Sequence, residues 1–167
     1  YMKKRILSLA LSAAMALTML PTGAFAASDK GKPPVYNKAT GCYEISTPDQ
    51  LLYLSGSWRD GAPRDGHYVL TADIDMTGVK GFKPIASKKD QGFTGTFDGQ
   101  FHAIKGLRVE YEKKYAGLFG YVGNQDDQAY IKDVALLDCY VTGQQNVGAL
   151  AGVNYGTITG CVVTGEV

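Results

Sequence analysis

The amino-acid sequence predicts an all-β protein: a right-handed parallel β-helix (β-solenoid) of few coils, preceded by a short N-terminal capping α-helix. Three observations carry this prediction. Short apolar runs recur at fixed spacings, separated by Gly, Asn and Asp. Glycine is abundant, 21 of 167 residues, which marks many turns or close backbone approaches. A single helical signature stands ahead of the first alternating run. Repeats built only of short strands and turns cannot each bury a core, so they must stack, and stacked strand-turn-strand coils make a parallel β-helix.

Residues 1–26 read as a secretory signal peptide. Lys3, Lys4 and Arg5 precede the apolar run Ile6 to Leu20, which closes with Pro21 and Ala24-Phe25-Ala26, and cleavage is expected after Ala26. The run falls short of the about 20 apolar residues of a membrane span, so a secreted or cell-surface location is expected. Without the leader, 14 Lys and Arg face 16 Asp and Glu. That near-neutral balance argues against nucleic acid as a partner.

Residues 27–41 are polar, contain Pro and show no period; they are expected to be a linker. Residues 42–66 are expected to hold the capping helix and the loop leading into the stack. Thr47 can cap, Pro48 suits the first helical position, and Gln50 completes a capping box. Leu51, Leu52 and Leu54 then supply an apolar face, and Gly56 ends it.

Residues 67–167 are expected to be the repeats, truncated at their C-terminal end. From Tyr68, apolar residues alternate (Tyr68, Leu70, Ala72, Ile74, Met76) with Val69, Thr71, Asp73 and Asp75, as in a strand with one buried face. Ile104-Lys105-Gly106-Leu107-Arg108-Val109 recurs from Ile131 and again from Ile158, each copy 27 residues on. Ala116 to Gly120 is echoed 32 residues later by Gly148 to Gly152, and Cys139 to Gly143 is echoed 22 later by Cys161 to Gly165. Unequal spacings imply loops of different length, of which Asn124 to Gln128 is one. The registers conflict at Cys161, and the spacing of 22, with four of five residues identical, is preferred. Cys139 and Cys161 would then be stacked neighbours about 4.8 Å apart, within disulfide range.

The wording YVLTADIDMTG, KPIAS, GFTGTFDGQFHAIKGL, YAGLFGYV, IKDVALLDCYVTG and VGALAGVNYGTITGCVVTGEV resembles the GLUG-motif repeat region of Gram-positive surface and secreted proteins. The preceding YEISTPDQLLYLSG resembles the helical lead-in found before it. The resemblance covers about residues 42–167 and implies parallel β-helix modules of the kind found in adhesins and in non-catalytic regions of IgA-peptidase-like proteins. It transfers fold better than activity.

The candidate chemistry is sparse. Asp98 and His102 are four apart, but that spacing brings side chains together on a helix, and Gly95 and Gly99 make this segment strand and turn. Asp98 is therefore read as a turn residue and His102 as part of the strand leading to Ile104. Asp73 and Asp75 on one strand face, about 7 Å apart, are the best enzymatic lead, compatible with glycosidase carboxylates or a Ca2+ ion; solvated structural roles are favoured. His67 and His102 lack ligand partners at zinc spacing. No H-E-x-x-H, nucleophile elbow or P-loop occurs. Phe97, Phe101, Phe119 and Tyr121 are expected in the core, while Trp58, in a polar loop, is a candidate glycan contact. No catalytic residue, cofactor or metal is assigned. The expected function is a non-catalytic secreted or cell-surface module for adhesion, glycan or host-surface interaction, or spacing. The alternatives are a carbohydrate-active β-helix enzyme, or an accessory region of a secreted metallopeptidase.

Overall fold

The computed structural model describes residues 31–56 and 62–167. The expected signal peptide, residues 27–30 of the expected linker, and Trp58 lie outside them. Among the described residues no helix is long and apolar enough to cross a membrane.

The chain begins with a hairpin. Strand β1 (Val35–Asn37) pairs antiparallel with β2 (Cys42–Ile45) across a turn in which the Asn37 side chain accepts from the Ala39 N–H. The linker expected at 27–41 thus contains a strand, because its polar composition concealed the short Val-Tyr-Asn run that an edge position tolerates. Helix α1 (Pro48–Leu54) follows, with the expected capping box on Thr47 and Gln50. Its Leu51, Leu52 and Leu54 are buried, each apolar side chain worth about 1.5–3 kcal/mol, and Ser55 and Gly56 (φ 87°) end it.

The coils come next. The first holds β3 (His67–Leu70) and β4 (Ile74–Asp75), followed by a 3-10 turn at Lys89–Gln91. The second holds β5 (Thr96–Asp98), β6 (Ala103–Lys105), β7 (Arg108–Ala116) and β8 (Phe119–Val122). The third holds β9 (Tyr130–Lys132), β10 (Ala135–Val147) and β11 (Ala151–Asn154), and the last holds β12 (Thr157–Thr159) and β13 (Val162–Glu166). Equivalent strands stack in parallel as three walls. The first runs β2-β3-β5-β9-β12 with β1 on its edge, the second β4-β6-β10-β13 with β7 also on β10, and the third β8-β11. Bridges from Gly56 to Ile85 and from Ile85 to Phe119 extend the third wall backwards. The expected parallel β-solenoid is the observed fold.

The core is the column between the walls. Tyr68, Phe93, Phe97 and Phe119 are fully buried. Phe93 and Phe97 lie 5.1 and 5.4 Å from the Phe119 ring, the latter edge-on, a geometry that adds about 0.5–1.5 kcal/mol beyond burial. Coils approach so closely at the corner carrying the 32-residue echo that a side chain does not fit. A Cβ on Gly117 would lie 2.5 Å from the Gly148 carbonyl oxygen, and one on Gly152 would lie 2.5 Å from that of Asn146.

The register corrects several sequence expectations. The run from Tyr68 to Met76 is two strands on different walls, with the chain turning a corner between Leu70 and Ile74. Alternation survives the corner because Tyr68, Leu70, Ile74 and Met76 all still point to the shared core. Ile104 stacks on Leu136, 32 residues on, and Ile131 stacks on Phe97, so the first copy of the 27-residue repeat is out of step. The second copy is in step: Ile131 lies beside Ile158 and Ala135 beside Val162. The 32-residue echo holds, with Phe119 beside Ala151. At the end of the chain the spacing of 27 prevails. The Val162 N–H donates to the Val134 carbonyl at 3.0 Å, Gly165 rather than Cys161 pairs with Cys139, and all three thiols are free. The identical five-residue wording falls at different places in the coil, Cys139 within β10 and Cys161 just before β13, and a one-residue bulge between Leu136 and Cys139 moves the pairing there from a spacing of 27 to 26.

Two insertions account for the displaced first copy of the 27-residue repeat. Gly99 corresponds to Asp133, and the Ala135 N–H donates to the carbonyl of His102, so Gln100 and Phe101 are two extra residues at the second coil's first corner. Both are left-handed, with φ of 48° and 64°, and Phe101 is 83% exposed. The expectation that Phe101 is core fails for that reason: the insertion turns it out of the wall. The second insertion is Asn124 to Gln128. Val122 pairs with Asn154 and Tyr130 with Thr157, so Gly123 and Ala129 match Tyr155 and Gly156 and the five residues between are additional.

Candidate functional site

The structure resolves the candidate dyad by giving each member a different partner. Asp98 ends β5, and its Oδ1 accepts from the Gln100 N–H at 2.9 Å, which braces the left-handed insertion. Its Oδ2 lies 2.8 Å from Lys132 Nζ on the next coil, and that carboxylate holds the Lys132 ammonium above its ordinary range. His102, just before β6, turns to the previous coil instead. Its Nδ1 lies 3.0 Å from Asp73 Oδ1.

Asp73 sits at the corner before β4, and the same Oδ1 accepts from the Ala103 N–H at 2.9 Å. This amide bond first, and the His102 contact second, hold the Asp73 carboxyl below the usual carboxylate range. Asp75 lies within β4 and accepts from the Thr77 N–H at 2.9 Å; Thr77, through its hydroxyl and then its amide, lowers that carboxyl as well. Both carboxylates are exposed. They are thus backbone acceptors at two successive bends of one coil, and the arrangement ties the first coil to the second.

The outer surface of the second wall is charged. Arg108 bonds Glu110 at 2.7 Å and lies 4.2 Å over the Tyr140 ring. Lys105 stands 3.9 Å from Asp138. No group of three or more His, Cys, Asp or Glu that could hold a metal ion occurs among the described residues.

Sequence reasoning missed one concave feature. Arg64, Asp65, Thr94, Asp126, Asp127 and Gln128 line an open, polar recess of about 330 Å³ at the corner between the third and first walls. The five-residue insertion forms one side of it, held by Asn124 Oδ1, which accepts from the Asp126 and Asp127 N–H groups at 2.8 and 2.6 Å. Tyr130, 48% exposed, stands two residues beyond Gln128 and bonds its side chain at 3.4 Å. The difference between the spacings of 32 and 27 is the signal in the sequence that could have located it. Asp73 and Asp75 do not line this recess.

No family model matches the chain. It is similar to halomucin of Haloquadratum walsbyi, 34% identical over 143 residues, covering 77% of this chain and 2% of that protein. It is also similar to a Gly-rich membrane protein of Evansella cellulosilytica, 33% identical over 101 residues, covering 55% of this chain and 11% of the relative. The chain therefore spans only a small part of the curated relatives it matches. Among solved structures it resembles a protein assigned as an immunoglobulin A1 protease from Bacteroides ovatus, with a TM-score of 0.57 and 21% identity, over 74% of this chain and 38% of that one. That likeness carries the solenoid fold alone.

Proposed function

We propose that this chain is a non-catalytic module of a secreted or cell-surface protein, a short rigid solenoid of the GLUG-repeat kind that spaces or presents surface and takes no cofactor. The observation that carries the reading is the fate of the two best catalytic candidates. Asp73 and Asp75 are each engaged by backbone amides at coil corners, and neither faces the polar recess. A general acid and base need to converge on one substrate position, and these two side chains serve the stack instead. The names of the relatives, halomucin and a Gly-rich membrane protein, support an extracellular setting, as does the leader-like run from Lys3 to Ala26. Glycan contact would fall at the recess beside Tyr130, where amide, carboxylate and guanidinium groups lie within reach of sugar hydroxyls.

The test is reducing-sugar release by the purified chain from a panel of neutral and acidic polysaccharides, together with protease shaving of intact cells. The expected result is no release and loss of the chain on shaving. Release that disappears in Asp73→Asn or Asp75→Asn would establish the carbohydrate-active alternative and sink this one.

A further inference from the structure

We infer that the face where the second wall turns into the third is a binding site for an acidic polysaccharide. Two rungs form it, residues 77–91 of the first coil and residues 107–121 of the second. They run side by side: a Cβ on Gly106 would collide with Thr77, the Ile85 N–H donates to the Leu118 carbonyl at 2.9 Å, and a Cβ on Gly92 would lie 3.1 Å from the Tyr121 ring. The third coil stacks on the second along this stretch, β10 on β7 and β11 on β8. The face therefore looks sideways from within the stack, and its exposure is lateral.

The charge of the molecule is unevenly divided. Of the 14 Lys and Arg and 16 Asp and Glu beyond Ala26, these two segments hold seven and three, which leaves seven and 13 for everything else. Arg108 is paired with Glu110. The other six basic residues, Lys80, Lys83, Lys88, Lys89, Lys113 and Lys114, are all exposed. Among the described residues none of the six stands within ion-pair distance of a carboxylate. A Cβ on Gly120 would lie 2.7 Å from Ser87 Cα and 2.8 Å from the Tyr115 carbonyl oxygen, so Lys88 and Lys114, each next to one of these residues, share one patch. Ammonium groups gathered on two rungs about 4.8 Å apart raise the local concentration of a polyanion and steer its approach.

The surroundings select the kind of polyanion. No large hydrophobic residue of the two segments is mainly exposed, so the face has nothing to insert into the apolar layer of a membrane. Tyr115, half-buried and left-handed at φ 68°, sets its ring 5.4 Å from that of Tyr121 and edge-on to it. Such rings offer an apolar body with a polar tip, which suits a sugar ring and its hydroxyls. A polysaccharide bearing repeated carboxylate or sulfate groups supplies both the charge and the ring. The recess lies at a different corner and carries Asp65, Asp126 and Asp127, which repel the same polymer, so this site is separate from the glycan contact proposed above.

Calorimetric titration of the purified chain with dextran sulfate, polygalacturonate and uncharged dextran tests this. At least one charged polymer is expected to bind, the stronger one identifying sulfate or carboxylate, and dextran is expected not to. The Kd should rise about tenfold or more between about 0.05 and 0.3 M NaCl. Combining Lys88→Glu, Lys89→Glu, Lys113→Glu and Lys114→Glu is expected to raise it at least about a hundredfold. Lys38→Glu with Lys105→Glu, off this face, should change it less than about threefold. Arg64→Ala, at the recess, should leave it unchanged, whatever becomes of the glycan contact there. Binding of neither charged polymer, equal binding of dextran, tighter binding to phosphatidylglycerol vesicles, or binding unmoved by the fourfold variant would each overturn the proposal. Amide chemical shifts of the wild-type chain decide the matter should that variant not fold: the charged polymer must move residues 77–91 and 107–121, and shifts confined to other residues refute the site.

Discussion

Deleting Asn124 to Gln128 tests the reading that these five residues are an insertion on a coil that is complete without them. The deletion joins Gly123 to Ala129, as Tyr155 is joined to Gly156 one coil later, and the pairings on either side, Val122 with Asn154 and Tyr130 with Thr157, need not move. The hydrogen bonds lost are those of Asn124 with Asp126 and Asp127, internal to the loop, and the exposed contact of Tyr130 with Gln128. The bond from the Gly123 N–H to the Phe93 carbonyl, 2.7 Å, anchors the corner and stays. Shortening the connection from seven residues to two saves about 1 kcal/mol of loop-closure entropy, which offsets the loss of the Asx-turn bonds at about 0.5–1.5 kcal/mol each. The net change in unfolding free energy, read from urea melts, is expected to stay within about 1 kcal/mol of wild type with an unchanged m-value. A loss above about 3 kcal/mol would show that the corner depends on the loop and would refute the insertion.

Other perturbations follow from the same geometry. Gly152→Ala drives a methyl into backbone at Asn146 and Tyr115 and is expected to cost about 1–3 kcal/mol in a urea melt; Gly41→Ala meets open space, carries only its left-handed strain and should cost less. Asp73 has a depressed folded pKa, so its contribution to stability is present above the ordinary carboxylate value near 3.8 and fades as pH falls through the folded value. Urea midpoints of wild type and Asp73→Asn should therefore differ near neutrality and converge on acidification; a constant difference would remove the ionic role. Thiol titration of the denatured, unreduced chain should find three free thiols, and in the folded chain the buried Cys139, whose pKa burial raises, should react last. Fewer than three would restore a disulfide.

Much of this fold is legible from residues in order. The Thr47-Pro48-Asp49-Gln50 start of α1 satisfies its own backbone groups, so the helix needs no distant partner to be recognised. The echo of Ala116 to Gly120 in Gly148 to Gly152 reads correctly because both copies meet one steric demand, a corner with no room for a Cβ at the equivalent positions Gly120 and Gly152. The candidate site was legible only in part: the turn role of Asp98 follows from its Gly-rich setting, whereas nothing local joins His102 to Asp73, 29 residues away.

The sequence alone determined the class of the molecule. Glycine-punctuated apolar repeats with one capped helix have no way to bury their apolar faces except by stacking. Only the tertiary structure decided the register, since an insertion at a corner changes the repeat period without changing which residues are apolar. Gln100-Phe101 and Asn124 to Gln128 are such insertions, and with them were settled the neighbours of Ile104, the exposure of Phe101 and the pairing of Asp73 with His102. Side-chain identity fixes what a strand buries, while the length of the path between strands fixes what it lies beside.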